Sequence, residues 1–342
     1  MKLIKTEDAV GHVLCHDMTQ IIKDQYKDAR FRKGHVVTEE DIPVLLSMGK
    51  EHLYVWEMTS GMVHENDAAE RLLALCGQEN MIRSGVKEGK IELKAACDGV
   101  FLVDSARLVA VNSQDEVMIA TRKGGMAVRE GDKLAGMRVI PLIIEEEKLR
   151  KAEQAAGDKP LLSLKPYVRK TACIVATGGE VKKGLIKDTF TPIVIDKLKT
   201  YGIETLEVVY SGDGVENVRD AVLTMREKKP DMILCTGGMS VDPDDNTPGG
   251  IKAAGANIIA YGAPVLPGAM FLLGYFDDGM PVMGLPGCVM YAGATVFDLV
   301  LPKIAADVPV TRADLAALGE GGLCLGCKPC HYPICCLLYT SD

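Results

Sequence analysis

Between Thr171 and Ile304, short apolar runs alternate with helix-type stretches, and this alternation constrains the fold more than any other feature of the chain. Thr171–Thr177, Thr205–Tyr210 and Met232–Thr236 are bounded apolar runs that read as buried strands. Pro192–Tyr201, stopped by Gly202, and Val215–Arg226 read as the helices between them. Thr247-Pro248 opens a further helix, with Thr247 as cap and Pro248 in the first turn. Strands that alternate with helices need crossover connections, which predicts a parallel sheet covered on both faces. Phe271–Phe276 and Met280–Leu285 flank Asp277-Asp278-Gly279 and read as a hairpin, followed by a closing helix over Val289–Ile304.

The upstream half has a different texture. Residues 1–90 read as an α+β segment: a helix over Glu39–Met48, opened by Thr38 with Asp41 three positions on, a strand over Leu53–Trp56 and a helical stretch at Ala68–Leu75. Residues 91–145 read as a small β-rich domain, from short runs at Gly99–Val103, Leu108–Asn112, Val117–Thr121 and Arg138–Ile144 broken by glycine turns. A charged helix over Glu145–Gln154 and Gly/Pro punctuation place a helix and linker at 146–167. The α/β domain then occupies 168–306, and a cysteine-rich tail 307–342. His12, His16, His35 and His52 fit no ligand spacing and read as surface or core residues.

The net charge of −8 and pI of about 5.4 argue against general affinity for nucleic acid or an acidic membrane. An anionic ligand would therefore be held by local backbone donors and a metal. No apolar run reaches the roughly 20 residues that span a bilayer. The segment Met1–Asp8 lacks a signal-peptide core, so a cytoplasmic protein is expected.

The stretch Leu234–Pro248 carries the chemistry. Gly237 and Gly238 let the backbone turn sharply and lie against a ligand, and Asp242, Asp244 and Asp245 follow. Backbone N–H groups suit phosphate oxygens, and Mg²⁺ takes one or two carboxylates plus phosphate oxygens. Two further loops follow strands: Thr177-Gly178-Gly179-Glu180 and Ser211-Gly212-Asp213-Gly214. At one rim of a doubly wound sheet, Glu180, Asp213 and Asp245 would converge on a phosphate through a divalent cation, giving metal-assisted phosphoryl or phosphate-ester chemistry. On spacing alone, three unrelated surface turns are an equal reading. Gly284-Leu285-Pro286-Gly287-Cys288 is a fourth glycine turn that could bring amides to the same ligand.

Thr236-Gly237-Gly238-Met239-Ser240-Val241 with Asp245, together with Gly284-Leu285-Pro286-Gly287, resembles the molybdopterin-binding (MoaB/Mog) domain over roughly residues 168–305. The resemblance implies that the glycine loop holds molybdopterin or adenylylated molybdopterin. It implies that Asp245 serves Mg²⁺-dependent chemistry, and that Gly178-Gly179-Glu180 stands where the family has Gly-Asp-Glu. Asp245 and Glu180 are then the candidate catalytic residues. Thr177, Gly178, Asp213, Thr236, Gly237, Gly238, Ser240, Pro286 and Gly287 would contact the ligand, and Asp244 would join Asp245 on the metal. The Thr-Gly-Gly-Met-Ser-Val form is most similar to the molybdopterin molybdotransferases (the MoeA and gephyrin E-domain group), which release AMP and insert molybdate. Gly34–Asp41 echoes their N-terminal half. Three departures separate the chain from them: the Asp-Arg-Ser-Ala-Met-Asp-Gly motif is missing, Pro-Gly-Lys-Pro reads Pro267-Gly268-Ala269-Met270, and Gly-Leu-Pro-Gly-Asn-Pro ends Gly287-Cys288-Val289. Ligand binding carries over better than molybdenum transfer, as in a divergent branch. Asp244-Asp245-Asn246-Thr247 also resembles the Asp-Asp-x-Thr of CinA-type proteins, which hydrolyse a nucleotide pyrophosphate on this fold. A non-catalytic carrier or sensor of molybdenum cofactor is a third reading. The family resemblance implies a homo-oligomer, dimer or trimer.

Six of the eleven cysteines are scattered and read as reduced, several of them as small hydrophobes within apolar runs. The other five crowd the tail, where Cys324, Cys327, Cys330 and Cys335 have a spacing suited to zinc or an iron–sulfur cluster. The last residues, Leu337–Asp342, look foreign to the rest, and Cys336 groups with them.

Overall fold

A computed structural model describes residues 2–22, 26–55, 61–240, 242, 245–332 and 335. The chain divides into two units, neither of them a continuous stretch: the first takes Met1–Ala96, Val103–Gly124 and Gly131–Ser163, the second Cys97–Leu102, Gly125–Glu130 and Leu164–Asp342.

In the first unit, Lys2–Lys5 pairs antiparallel with His52–Val55, and Met18–Ile22 with Tyr26–Phe31. Leu14, Met18, Phe31, Leu45, Leu53 and Val55 close a small core there. The Thr38–Asp41 contact forms, since Asp41 Oδ2 accepts from Thr38 N and Oγ1 at 2.9 and 2.8 Å. The helix itself runs Asp41–Ser47, starting later than Glu39. A four-stranded antiparallel sheet joins Met81–Arg83, Ile91–Ala95, Lys133–Val139 and Val117–Thr121. Helices Glu65–Cys76 and Glu146–Ala156 are tied by the two-pronged Arg71–Glu153 pair at 2.7 and 2.8 Å. The run Leu108–Asn112, read from sequence as β-like, is the end of a helix over Ser105–Asn112. Asp104 caps that helix by accepting from Arg107 N at 3.1 Å, and a five-residue apolar run cannot by itself set the period.

The second unit holds the α/β sheet. Its strands are β1 (Thr171–Thr177), β2 (Glu204–Ser211), β3 (Met232–Thr236), β4 (Asn257–Tyr261), β5 (Leu272–Tyr275) and β6 (Pro281–Leu285). Its main helices are α1 (Phe190–Thr200), α2 (Val215–Glu227), α3 (Thr247–Ala253) and α4 (Val296–Ala305). The order across the sheet is β2-β1-β3-β6-β5-β4. The first four strands are parallel, and β5 and β4 add antiparallel. The hairpin expected around Asp277-Asp278-Gly279 is the β5–β6 pair. The antiparallel edge strand β4 was not legible in the sequence.

Alternation along each strand sorts the two cores. Ile174, Leu234, Leu273, Met283 and Leu285 face Val194 and Leu198 of α1 and Phe297, Val300 and Leu301 of α4. Cys173, Val175, Ile233, Cys235, Leu272 and Val282 face Val218, Val222 and Met225 of α2 and Ile251 of α3. The central strands are almost wholly apolar because both faces are covered; all five residues of β3 and of β6 are buried, Thr236 being the polar one. Burying each such side chain contributes about 1.5–3 kcal/mol. The early segments belong to this unit too: Met126 pairs with Phe101, which is fully buried, and Tyr167 Oη donates to Gly99 O at 2.9 Å.

The closing helix starts at Val296, not Val289. Gly287–Met290 is a single 3-10 turn, and Thr295 with Asp298 then forms a reciprocal capping box, with Thr295 N donating to Asp298 Oδ2 at 2.8 Å. Tyr291–Ala294 is thereby left as a loop. Among the described residues, no helix is long and apolar enough to cross a membrane.

Candidate functional site

Register fixes where the loops leave the sheet. Thr177 is level with Ser211, Ala176 with Thr236, and Thr236 with Leu285. The carboxyl ends of β2, β1, β3 and β6 therefore form one rim, and all four glycine turns depart from it. In open α/β sheets this is the rim where ligands bind.

Gly237 and Gly238 have φ of +81° and +56°. A Cβ on Gly237 would stand 2.4 Å from Thr177 O, and one on Gly238 2.7 Å from Thr247 Oγ1. Both space and conformation therefore require glycine. Two threonine hydroxyls lock the turn. Thr177 Oγ1 donates to Thr236 O at 2.9 Å and stands 3.1 Å from Thr247 Oγ1, which donates to Gly237 O at 2.9 Å. Asp245 then folds the loop back, with Oδ2 accepting from Ser240 N at 2.9 Å. Tyr261 Oη donates to Met239 O at 3.0 Å and clasps the loop from β4. Burial, and secondarily the Asp245 charge, raise the Tyr261 pKa above the ordinary tyrosine range.

This loop is one wall of a cavity of about 380 Å³. Gly237, Gly238, Ser240 and Asp245 line it on one side, and Pro286, Gly287 and Cys288 on the other. Met239, Ala269, Met270 and Tyr291 complete it. Six of the residues singled out from sequence thus come together: Gly237, Gly238, Ser240, Asp245, Pro286 and Gly287. Burial raises the Cys288 thiol pKa above the ordinary cysteine range. Tyr291 was not legible because it falls in the stretch read as helix. Its signal was the Thr295-x-x-Asp298 box, which places the helix start after it.

The other expected residues occupy different places. Thr236 is buried beneath the turn and Thr177 belongs to the hydroxyl lock, so neither lines the cavity. Gly178, Glu180 and Asp213 stand at the same rim on the β1–β2 side, outside the lining of this cavity. Asp213 is engaged with its neighbour loop: both carboxylate oxygens accept from Gly179 N at 3.1 Å. Glu180 is exposed. Asp244 lies outside the described residues. Cys324, Cys327, Cys330 and Cys335 border a separate cavity. Among the described residues, no group of three His, Cys, Asp or Glu side chains is placed to hold a metal ion. The donor set at Asp245 still fits Mg²⁺, which accepts one carboxylate with phosphate oxygens and water supplying the rest.

Residues 173–306 match the family of probable molybdopterin binding domains. The matched segment spans nearly all of the α/β sheet and contains every residue of the cavity. Residues 3–57 match a second family model, a domain of unknown function (DUF8806). A CinA-like protein of Mycobacterium tuberculosis is 33% identical over 76 residues, 22% of this chain and 18% of that relative. The chain thus spans less than a fifth of the length of the curated relatives it matches. Among solved structures, a molybdopterin biosynthesis enzyme MoaB from Thermus thermophilus is 17% identical, covering 41% of this chain and 98% of its own, with a TM-score of 0.35. A CinA protein of unknown function from Thermoplasma acidophilum is 18% identical, covering 40% and 98%, with a TM-score of 0.34.

Proposed function

We propose that the rim cavity binds molybdopterin or adenylylated molybdopterin, and that the chain serves molybdenum cofactor biosynthesis. The single observation that carries this reading is the convergence of two glycine turns and Asp245 on one cavity inside the segment that matches the molybdopterin-binding family. The main chain at Gly237, Gly238 and Gly287 supplies close approach without side-chain bulk, which suits a phosphate or pyrophosphate group. Met239, Met270 and Tyr291 offer polarisable and aromatic surface for a flat heterocycle. Asp245 is the residue that would hold Mg²⁺, and the ion would neutralise phosphate charge next to it. Asp245 also holds Ser240 N, so the same carboxylate fixes the loop and faces the ligand.

Binding is better supported than molybdenum insertion. Ala269 lines the cavity where the molybdotransferase pattern has a lysine, with Met270 beside it, so this wall offers molybdate no cation. The reading is tested by identifying, by mass spectrometry, the ligand retained on mild purification. AMP release from adenylylated molybdopterin should then depend on Mg²⁺ and fall in Asp245→Ala. A retained nucleotide with no pterin would overturn it. That outcome would favour a CinA-like nucleotide pyrophosphate hydrolase, the reading supported by Asp244-Asp245-Asn246-Thr247 and the 76-residue match. Retained pterin without AMP release would indicate a carrier. The homo-oligomer implied by the resemblance would be read from light scattering on the same preparation.

A further inference from the structure

The tail cysteines form a second built feature, apart from the rim cavity. Cys324, Cys327, Cys330, His331 and Cys335 border one cavity of about 360 Å³. The segment that carries them is tied down at both ends. Leu266 N donates to Gly322 O and Cys324 N to Leu266 O, each at 2.8 Å. Beyond the third cysteine, Tyr332 is half-buried against the core and its hydroxyl donates to Asp298 O at 2.6 Å, on the first turn of α4. Cys330 is pressed against the loop before α4, where a Cβ on Gly293 would stand 2.8 Å from its Cβ and Sγ. Gly326 N–H points at Cys324 Sγ at 3.5 Å, the type of N–H···S contact that stabilises a thiolate and tunes a thiolate-bound metal. Cys327 and Cys330, three positions apart, are both exposed and border the same hollow as Cys324 and Cys335.

We propose that Cys324, Cys327, Cys330 and Cys335 bind a soft metal centre, zinc or an iron–sulfur cluster, that fastens the tail to the Tyr291–Ala294 loop. The thiols ring the space without standing in ligating geometry. Closure requires rotation of the thiol side chains about anchors that already exist at Cys324 and Tyr332, and metal binding is coupled to such ordering. Four thiols lose their protons as the metal–sulfur bonds form, with no change of oxidation state needed for zinc. Tyr291 borders both cavities, so the centre would steady one wall of the proposed pterin pocket without contacting the ligand. The inference stands on the tail itself and survives if the pterin reading fails.

The test is metal and acid-labile sulfide analysis of the full chain purified without oxygen. The expected result is one zinc per chain, or iron with an equal amount of sulfide and a visible absorption band. Cys327→Ser and Cys330→Ser should each lose about tenfold or more in metal retention, while Cys97→Ser keeps the parental content. Should the serine variants fold poorly, chelated parent protein titrated with Co²⁺ should develop an intense thiolate-to-cobalt band. Absence of that band together with metal-free parent protein overturns the proposal, as does full metal content in both serine variants.

Discussion

The sequence Thr-Gly-Gly occurs at the ends of two neighbouring parallel strands, at Thr177-Gly178-Gly179 and Thr236-Gly237-Gly238, and the two turns reach different ends. Both satisfy an amide of the loop with a downstream aspartate, Asp213 in the first and Asp245 in the second. In the first, the aspartate seals the turn against the adjacent loop. In the second, the aspartate spans a longer loop and leaves its carboxylate on a cavity wall. The glycines differ as well. A Cβ on Gly178 would meet nothing nearer than 3.6 Å, whereas one on Gly237 would drive into the main chain of the first turn. A glycine pair is thus a site only where a second element, here the Pro286-Gly287 turn, stands opposite it.

This comparison can be broken most directly by Gly237→Ala. The new methyl lies 2.4 Å from Thr177 O at a φ of +81°, so strain and overpacking together should cost about 2–4 kcal/mol. A lowered Tm and loss of retained ligand are expected, whereas Gly178→Ala should show backbone strain alone, about 1–2 kcal/mol, with ligand kept. Equal loss of ligand in both would dissolve the distinction between the turns. The aspartates give the next largest contrast. Asp245→Asn keeps an acceptor for Ser240 N but removes the charge, so Mg²⁺-dependent affinity measured by calorimetry should drop by about tenfold to a hundredfold. Asp213→Asn should leave affinity within about threefold. Thr247→Val deletes the donor to Gly237 O and should lower stability by about 1–2 kcal/mol in urea unfolding.

The smallest effect sharpens the comparison through pH. The folded-state pKa of Tyr261 is raised, by burial first and then by Asp245. Its contribution is therefore complete below the unfolded tyrosine value of about 10 and is lost as pH rises through the folded value. Stability curves of the parent and Tyr261→Phe should differ at neutral pH by about 1 kcal/mol or less and converge in strong alkali.

Much of the sheet was legible because buried strands leave apolar runs, as at Met232–Cys235 and Pro281–Leu285. What escaped was set by context. Asn257–Tyr261 is an edge strand with exposed ends, and its apolar run Ile258–Tyr261 is only four residues long, too short to set a period by itself. Leu108–Asn112 has the composition of a strand but takes its helix from the Asp104 cap. In the site, Gly237, Gly238, Asp245 and Gly287 announced themselves because turns and charge are local signals. Tyr291 did not, since it joins the cavity only through tertiary folding from a segment that carries no motif.

The second unit's use of Cys97–Leu102 and Gly125–Glu130 has a consequence for synthesis. These two pieces leave the ribosome well before Leu164, so Phe101 and Met126 emerge long before the rest of their unit exists. Separation along the chain slows the closure of such contacts and lengthens the time for which apolar surface stays wet. A nascent chain halted near residue 160 should therefore be bound by chaperones that recognise exposed phenylalanine and methionine, and should be released from them once α4 has been translated.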